Sequence, residues 1–218
     1  GAGVREARFV PAPPGDLLEA GFRDWADWVG APSSGLPPLV RAALGHYQFE
    51  TLHPFADGNG RIGRLVIVLQ LLKYGVMRDA LLTVSPWFEA RRQEYQDALL
   101  RVSRTGGWDA WVGFFATAVR DQARATLGKV EALVDFQTRA RQLVEDRDIR
   151  GTGRRLAEDL VGSPVLTTSV VARNYRVSRQ AAAGAVQRLA EVGLLREAAG
   201  KKHRRIFVCP EVIAIAEG

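Results

Sequence analysis

Apolar residues recur every three to four positions through the first part of the chain, and this spacing predicts amphipathic helices. One helix is expected over Asp16–Val29 and a second from Pro37-Pro38 to a stop before Pro54, because proline fits the first turn of a helix but not its interior. The run Leu65–Leu72 is apolar on nearly every side, which is typical of a helix enclosed by others. The front of the chain therefore predicts an all-α core.

Longer helices are expected next, over about 86–103 and 108–148, the second broken or bent near Gly128. Beyond residue 150 the apolar pattern shortens into strands and helices of a few residues each. The predicted fold is therefore mainly α, with a helical core in front and a small α+β module behind it. The boundaries we expect are a first domain at 1–127, a helical connector at 128–149 and a second domain at 150–218.

Composition and charge support a division into two modules. A chain of 218 residues with 47% hydrophobic and 25% charged residues can bury a packed core and suits one or two domains. Residues 1–149 carry 18 basic and 18 acidic side chains, whereas residues 150–218 carry 12 and 6, so the whole formal charge of +6 lies in the rear. This asymmetry indicates different partners for the two modules, and a basic surface is typical of, but not specific to, nucleic-acid binding.

The chain contains one cysteine, Cys209, so no intrachain disulfide can form, and a reducing, cytoplasmic compartment is expected. The longest apolar run is too short to span a bilayer and no signal peptide is visible, so no membrane partner is expected. The chain opens Gly1-Ala2-Gly3 without an initiator methionine, from which we expect it to be part of a longer protein.

The segment His53–Arg64 has the strongest chemical signature in the sequence. Gly58 and Gly60 flank Asn59 where a helix begins, and such a turn aims several backbone N–H groups at one point, forming an anion nest. Arg61 and Arg64 share one face of the first turns and can hold more than one phosphate.

Two further residues complete the chemistry of this segment. Asp57 offers a hard oxygen ligand for Mg²⁺ carried by a nucleotide, and His53 supplies an imidazole that can take a proton from an attacking hydroxyl. Taken singly, each part has an ordinary structural explanation: a common turn, a structural histidine, a solvated arginine face. Their order within twelve residues favours a phosphate-binding catalytic loop.

The segment resembles the signature of the Fic (Fic/Doc) family, His-x-Phe-x-Asp/Glu-Gly-Asn-Gly-Arg-x-x-Arg, at every fixed position, and the likeness extends over roughly residues 5–127. Most members of that family transfer AMP from ATP to a serine, threonine or tyrosine hydroxyl of a target protein. The resemblance implies a Fic-type helical core, with ATP and a target protein as partners and Mg²⁺ as cofactor.

The resemblance also implies a role for each motif residue. His53 would be the general base and Asp57 the Mg²⁺ ligand, while Asn59 and the amides of Gly58 and Gly60 would bind the α-phosphate. Arg61 would bind the β-phosphate of the leaving group and Arg64 the γ-phosphate. Elsewhere, Tyr95, and Gln96 beside it, would line the nucleobase pocket, and a β-hairpin flap with Arg8, Phe9 and Val10 would bind the target by strand addition.

Several alternatives remain open. The transferred group could be another nucleoside monophosphate or a phosphate, or the enzyme could remove AMP. Many members of the family carry an inhibitory helix with the pattern Ser/Thr-x-x-x-Glu-Gly/Asn, which we do not find in this sequence. We therefore expect the inhibitor upstream in a longer protein or in a partner. The oligomeric state is not determined by the sequence, and a homodimer is one alternative.

The rear module resembles a winged helix-turn-helix. Ser178 is expected to cap a helix over Arg179–Val192, and a basic turn at 200–205 leads to a strand at Ile206–Cys209. The partner would be DNA or a protein, and a nucleotide-sensing DNA-binding regulator is the alternative to an enzyme. The residues expected to contact DNA are Arg176, Arg179, Lys201, Lys202, Arg204 and Arg205.

Overall fold

The structure is a computed structural model that describes residues 11–32, 35–198 and 205–217. Within these residues the chain forms ten helices and three short strands, so the prediction of a mainly α fold is confirmed. The helices are α1 (Asp16–Gly30), α2 (Pro38–Leu52), α3 (Asn59–Lys73), α4 (Ser85–Ala90), α5 (Arg92–Thr105), α6 (Trp108–Asp146), α7 (Thr152–Asp159), α8 (Thr168–Tyr175), α9 (Arg179–Glu191) and α10 (Pro210–Glu217). The strands are β1 (Val165–Thr167), β2 (Arg196–Ala198) and β3 (Ile206–Val208).

The chain divides into two compact units, and the boundary between Thr126 and Leu127 falls inside α6. Helix α6 is continuous over its 39 residues, so it is not broken near Gly128, and a bend there stays a prediction. The helix expected over 86–103 is instead two helices, α4 and α5, which meet at Arg91. The predicted division into two domains and a connector stays a prediction.

Helix α2 is at the centre of the first unit. The indole N–H of Trp25 in α1 donates to the carbonyl of Gly45 at 2.8 Å, and that of Trp111 in α6 donates to the carbonyl of Ala43 at 2.9 Å. Buried indoles need such acceptors, and here they fix two helices against α2. Around α2 and α3 lies the main core of this unit, which includes Ala42, Ala43, Ile67, Leu71, Val84, Phe88, Trp111 and Phe115.

Helix α3 is not enclosed on all sides, and the expectation from its apolar run is wrong. Ile67 and Leu71 are fully buried, but Leu65 and Leu69 are 56% and 52% exposed. The helix packs through one face, mainly against α2. Because a single leucine on a surface is ordinary, the composition of a short run does not reveal which side is covered.

The buried side chain of Arg41 in α2 fixes the C-terminus of α1. Its guanidinium donates to the carbonyls of Trp28, Ala31 and Pro32, and it lies 4.8 Å from the centroid of the Trp28 ring. The last carbonyls of a helix have no partner within the helix, so a buried arginine that satisfies them compensates for its own desolvation.

The second unit contains a three-stranded antiparallel sheet of order β1-β3-β2, in which Leu166 and Glu197 both pair with Phe207. Strand β3 was predicted at nearly this position. Strand β2 and helix α10 were not predicted. The core of this unit draws on the last part of α6, through Phe136, Ala140 and Val144, and on Leu156, Leu160, Val171, Val186, Leu189, Phe207 and Val212.

Among the helices of the described residues, none combines the length and the apolar character that a membrane crossing requires.

Candidate active site

The loop between α2 and α3 begins at His53. The backbone of His53 has φ 49° and ψ 56°, in the left-handed region, and its N–H donates to the carbonyl of Phe49 at 2.9 Å. This conformation ends α2 in the manner usually reserved for glycine. It leaves the imidazole half-buried at the end of the helix.

Asn59 fixes the shape of the loop. Its side chain is almost fully buried, and its Oδ1 accepts from the N–H of Phe55 at 2.9 Å while its Nδ2 donates to the carbonyl of Phe55 at 2.6 Å. Both ends of this amide are therefore used within the loop. Phe55 itself is 42% exposed.

The N-terminus of α3 presents backbone amides at the loop. Gly58 adopts φ 84°, which a side chain rarely tolerates, and its carbonyl accepts from the N–H of Ile62 at 3.0 Å. The ladder of helix hydrogen bonds thus starts at Ile62, and the N–H groups of Asn59, Gly60 and Arg61 come before it. Amides at this position attract anions.

The two motif arginines lie in different surroundings. The Arg61 Nη2 is 3.3 Å from the Asp57 Oδ2, and both side chains are largely exposed, so the pair separates at little cost when a ligand competes for either group. Arg64 is 15% exposed, and its Nε donates to the Oγ of Ser85 at 2.9 Å while its Nη2 is 3.3 Å from the Oε1 of Glu89.

Three polar residues that the sequence did not bring together lie under the loop. His46 is fully buried, with its Nε2 2.9 Å from the hydroxyl of Tyr95, and burial lowers the pKa of His46 to about 3. Burial also raises the pKa of Glu50 to about 7, against the opposing effect of Arg64, and it raises the pKa of Tyr95 well above its usual value.

Gly63 makes this cluster possible. A Cβ at that position would lie 2.6 Å from the Oε1 of Glu50 and 3.1 Å from the Cε1 of His46, so a side chain here would displace the Glu50 carboxylate and crowd the His46 ring. The sequence shows a glycine inside the first turns of a helix, but it does not reveal that Glu50 and His46 of another helix pack against it.

A cavity of about 220 Å³ opens beside the loop. It brings together His53, Tyr95 and Gln96, three of the predicted site residues, and adds Glu50 to them. The motif arginines do not line it. The wall consists of Tyr47, Glu50, Thr51, His53, Tyr95, Gln96, Leu99, Leu100 and Ser103.

The oxygen ligands near the loop suit a metal ion that arrives bound to a nucleotide. In the part of the chain that the structure describes, no group of three or more histidine, cysteine, aspartate or glutamate residues could hold a metal ion. Asp57 is a single, exposed carboxylate on the loop. Mg²⁺ is commonly bound through one or two carboxylates together with substrate phosphates and water, so Asp57 fits a nucleotide-bound Mg²⁺.

In the second unit, the two predicted contact residues near α9 are exposed. Arg176 ends α8 with φ 54°, and Arg179 begins α9 after Ser178, whose Oγ accepts from the N–H of Ala181 at 3.1 Å. Arg205 pairs instead with Glu197 across the β2–β3 hairpin, with Nε 2.7 Å from Oε1. The remaining predicted residues, Arg8, Phe9, Val10, Lys201, Lys202 and Arg204, lie outside the described residues.

Comparisons with known proteins agree with the motif. Residues 3–71 match the Fic/DOC family. Protein adenylyltransferase fic-1 of Caenorhabditis elegans is 31% identical over 133 residues, which cover 61% of this chain and 25% of that protein. Protein adenylyltransferase Fic of Drosophila willistoni is 46% identical over 68 residues, which cover 30% of this chain and 13% of that protein. The chain thus spans about a quarter or less of the length of these relatives.

A solved structure supports the fold. The crystal structure of a Fic family protein from Desulfovibrio desulfuricans G20 matches with a TM-score of 0.50 and 24% sequence identity, over 90% of this chain and 56% of that one. The motif loop therefore lies in a segment that matches the Fic/DOC family, and the chain has a similar fold to a Fic protein.

Proposed function

We propose that this chain is a protein adenylyltransferase, which transfers AMP from ATP to a serine, threonine or tyrosine hydroxyl of a target protein. The observation that carries the proposal is the loop between α2 and α3. His53 ends α2 on the wall of a cavity, and the backbone N–H groups that precede the first helical hydrogen bond of α3 follow it, together with Arg61 and Arg64. The two relatives named protein adenylyltransferase support the same activity.

In the proposed reaction, His53 accepts the proton of the target hydroxyl as the hydroxyl oxygen attacks the α-phosphorus of ATP. A phosphorus–oxygen bond forms to the target, and the bond from the α-phosphorus to the bridging oxygen breaks. Pyrophosphate leaves, and its β- and γ-phosphates remain close to Arg61 and Arg64. The backbone N–H groups of Gly58, Asn59 and Gly60 stabilise the charge that develops on the α-phosphate.

Three other parts of the proposal concern binding. Mg²⁺, held by Asp57 and the nucleotide, would neutralise phosphate charge. Tyr95 and Gln96 form the wall on which we place the nucleobase. The buried hydroxyl of Tyr95 is bonded to His46, so Tyr95 offers the base the ring rather than the hydroxyl. The target protein is expected to bind at residues 8–10, and the cytoplasmic location and a homodimer stay predictions.

The test is incorporation of radiolabelled AMP into lysate proteins. His53→Ala is expected to retain ATP binding and to lose about 10²–10⁴-fold in transfer rate, the usual effect of removing a general base. Gln48→Ala, an exposed change on the same helix, is the matched control and should transfer at the parent rate. Labelling by His53→Ala at the parent rate would refute the assigned role. Parallel reactions with GTP, CTP and UTP, and with ATP labelled at the γ-phosphate, identify the group transferred.

A specific observation favours a second role, a winged helix-turn-helix that binds DNA. The order of α8, a short turn and the capped helix α9 is followed by the β2–β3 hairpin, and Arg176 and Arg179 are exposed at the start of α9. We propose that α9 enters a major groove and that the segment between β2 and β3, with Lys201, Lys202, Arg204 and Arg205, contacts the backbone.

A gel-shift series at several salt concentrations tests this role. The double variant Arg176→Ala/Arg179→Ala should weaken binding and reduce the slope of affinity against salt by about 2, since each phosphate contact adds about one unit to it. Arg139→Ala, which removes an exposed arginine paired with Glu211, is the control. A salt-independent shift, or none, would favour a protein partner for this unit.

A further inference from the structure

Arg64 is held along one edge of its guanidinium by helix α4. The Nε donates to the Oγ of Ser85 at 2.9 Å, and the Nη2 lies 3.3 Å from the Oε1 of Glu89. Nε and Nη2 form the side edge of the guanidinium, the edge that usually grips a carboxylate or phosphate in a forked pair. In this protein that edge is already occupied.

The other edge borders the loop. A Cβ at Gly60 would lie 3.0 Å from the Nη1 of Arg64, so the absence of a side chain at Gly60 lets the guanidinium lie against the start of α3. Nη1 and the second hydrogen of Nη2 are the donors that Ser85 and Glu89 do not use. They are therefore beside the backbone amides that attract anions.

Helix α4 is a rigid support for this arrangement. Trp87 and Phe88, which lie between Ser85 and Glu89 in the sequence, are buried in the core of the first unit. The indole N–H of Trp87 donates to Asp121 at 3.2 Å, and the ring of Phe88 lies 4.8 Å from that of Tyr95. A support anchored in the core can restrict a long side chain that would otherwise sample many rotamers.

We propose that Ser85 and Glu89 are positioning residues, which preset the Arg64 guanidinium so that its free edge receives the terminal phosphate of a nucleoside triphosphate. This inference rests on the proposed function and assigns two residues to it that the motif does not contain. The charge of Glu89 repels a phosphate, but the Glu89 side chain is 67% exposed and solvent screens that repulsion. The conformational entropy saved by fixing the Arg64 side chain before binding does not depend on screening.

Calorimetric binding of ATP and of AMP to the full chain tests the proposal. Ser85→Ala and Glu89→Ala should each weaken ATP binding about 3- to 10-fold, the effect of freeing one immobilised side chain, and should leave AMP binding unchanged. Ser85→Thr and Glu89→Gln, which keep an acceptor for Arg64, should restore most of the loss. Glu94→Ala, which removes an exposed carboxylate of α5, is the control for the change of charge.

An Arg64→Ala background separates positioning from a general effect on the fold. In that background, Ser85→Ala and Glu89→Ala should have no further effect on ATP affinity, because they act through Arg64. Equal losses for ATP and AMP, additive losses, or tighter ATP binding by Glu89→Gln would each overturn the proposal. If the parent chain labels targets but these variants bind ATP normally, the inference fails and the adenylyltransferase stands. If His53→Ala transfers at the parent rate, the assignment of His53 fails independently.

Discussion

Arg64 in the first unit and the exposed arginines of the second unit lie in contrasting surroundings. In the first unit, Arg64 is mostly buried, contacts Ser85 and Glu89 and lies against Gly60. In the second, Arg176 and Arg179 are exposed at one end of a helix, and other arginines such as Arg205 pair with surface carboxylates. The excess of positive charge belongs to residues 150–218, yet the two arginines fixed by burial and several hydrogen bonds, Arg41 and Arg64, belong to the neutral region. Net charge indicates where to search for a partner, whereas burial and hydrogen bonding indicate where chemistry is organised.

Destabilising one unit while assaying the other tests whether the two units are independent. Leu189→Ala removes a fully buried side chain from the core of the second unit and should lower its free energy of unfolding by about 2–5 kcal/mol. We expect the AMP transfer that we propose for the first unit to persist, as measured by labelling alongside calorimetry. A fall in transfer that tracks the melting of the second unit would show that the units depend on each other.

Gly63→Ala should lower the proposed activity of the first unit and leave the second unit unchanged. The added methyl would lie 2.6 Å from the Oε1 of Glu50 and 3.0 Å from a ring carbon of Phe49, so the buried Glu50 and Phe49 side chains must shift, at about 1–3 kcal/mol of stability. Because Glu50 and Phe49 lie beside His53 and the loop precedes Arg64, the proposed AMP transfer should fall, while the proposed DNA binding of the second unit should be unchanged. Gly113→Ala, where a Cβ meets open space, is the control. A parent-like rate for Gly63→Ala would contradict the close packing described here.

Glu50→Gln is expected to change stability with pH. Because burial raises the pKa of Glu50 to about 7 from the 4.5 of an exposed carboxyl, the folded state binds more protons than the unfolded state between these values. The free energy of unfolding should therefore decrease as the pH rises from about 4.5 to 7, and Glu50→Gln should remove this decrease, giving about 2 kcal/mol of stability above pH 7.

His46 supplies the opposite slope. Its pKa is lowered to about 3 from 6.5, so its contribution to stability decreases as the pH falls below 6.5. In the parent chain the two slopes oppose each other between about pH 4.5 and 6.5. Glu50→Gln should expose the slope of His46, which urea titrations at several pH values would measure. A parent-like pH profile would show that Glu50 titrates as an exposed carboxyl.

The sequence predicts the contiguous features well, because the motif places base, amides and arginines within twelve residues of one another. It does not predict Ser85 and Glu89, which are 21 and 25 residues from Arg64 and reach it only because α4 folds back. Nor does it predict that Glu50 and His46 are buried, since both lie on a helix whose exposed side cannot be read from a weak apolar pattern.

Errors in the predicted fold have a similar origin. Leu65 and Leu69 look like core residues by type, but only their neighbours in space decide whether they are covered. Strand β2 begins with Arg196-Glu197, which has no strand-like apolar alternation and is recognisable only through its pairing with Phe207 and Val208. Local patterns predict helices and turns, and contacts between distant segments decide the rest.

His53 ends α2 with a positive φ, a conformation that costs a residue with a side chain about 1 kcal/mol or more relative to glycine. Selection for thermal stability alone would therefore replace it with glycine. The most stable sequence for this turn therefore lacks the imidazole. The single substitution His53→Gly is expected to stabilise the turn and to abolish the proposed transfer. Libraries screened only for melting temperature should lose the His53 imidazole, our proposed general base, first.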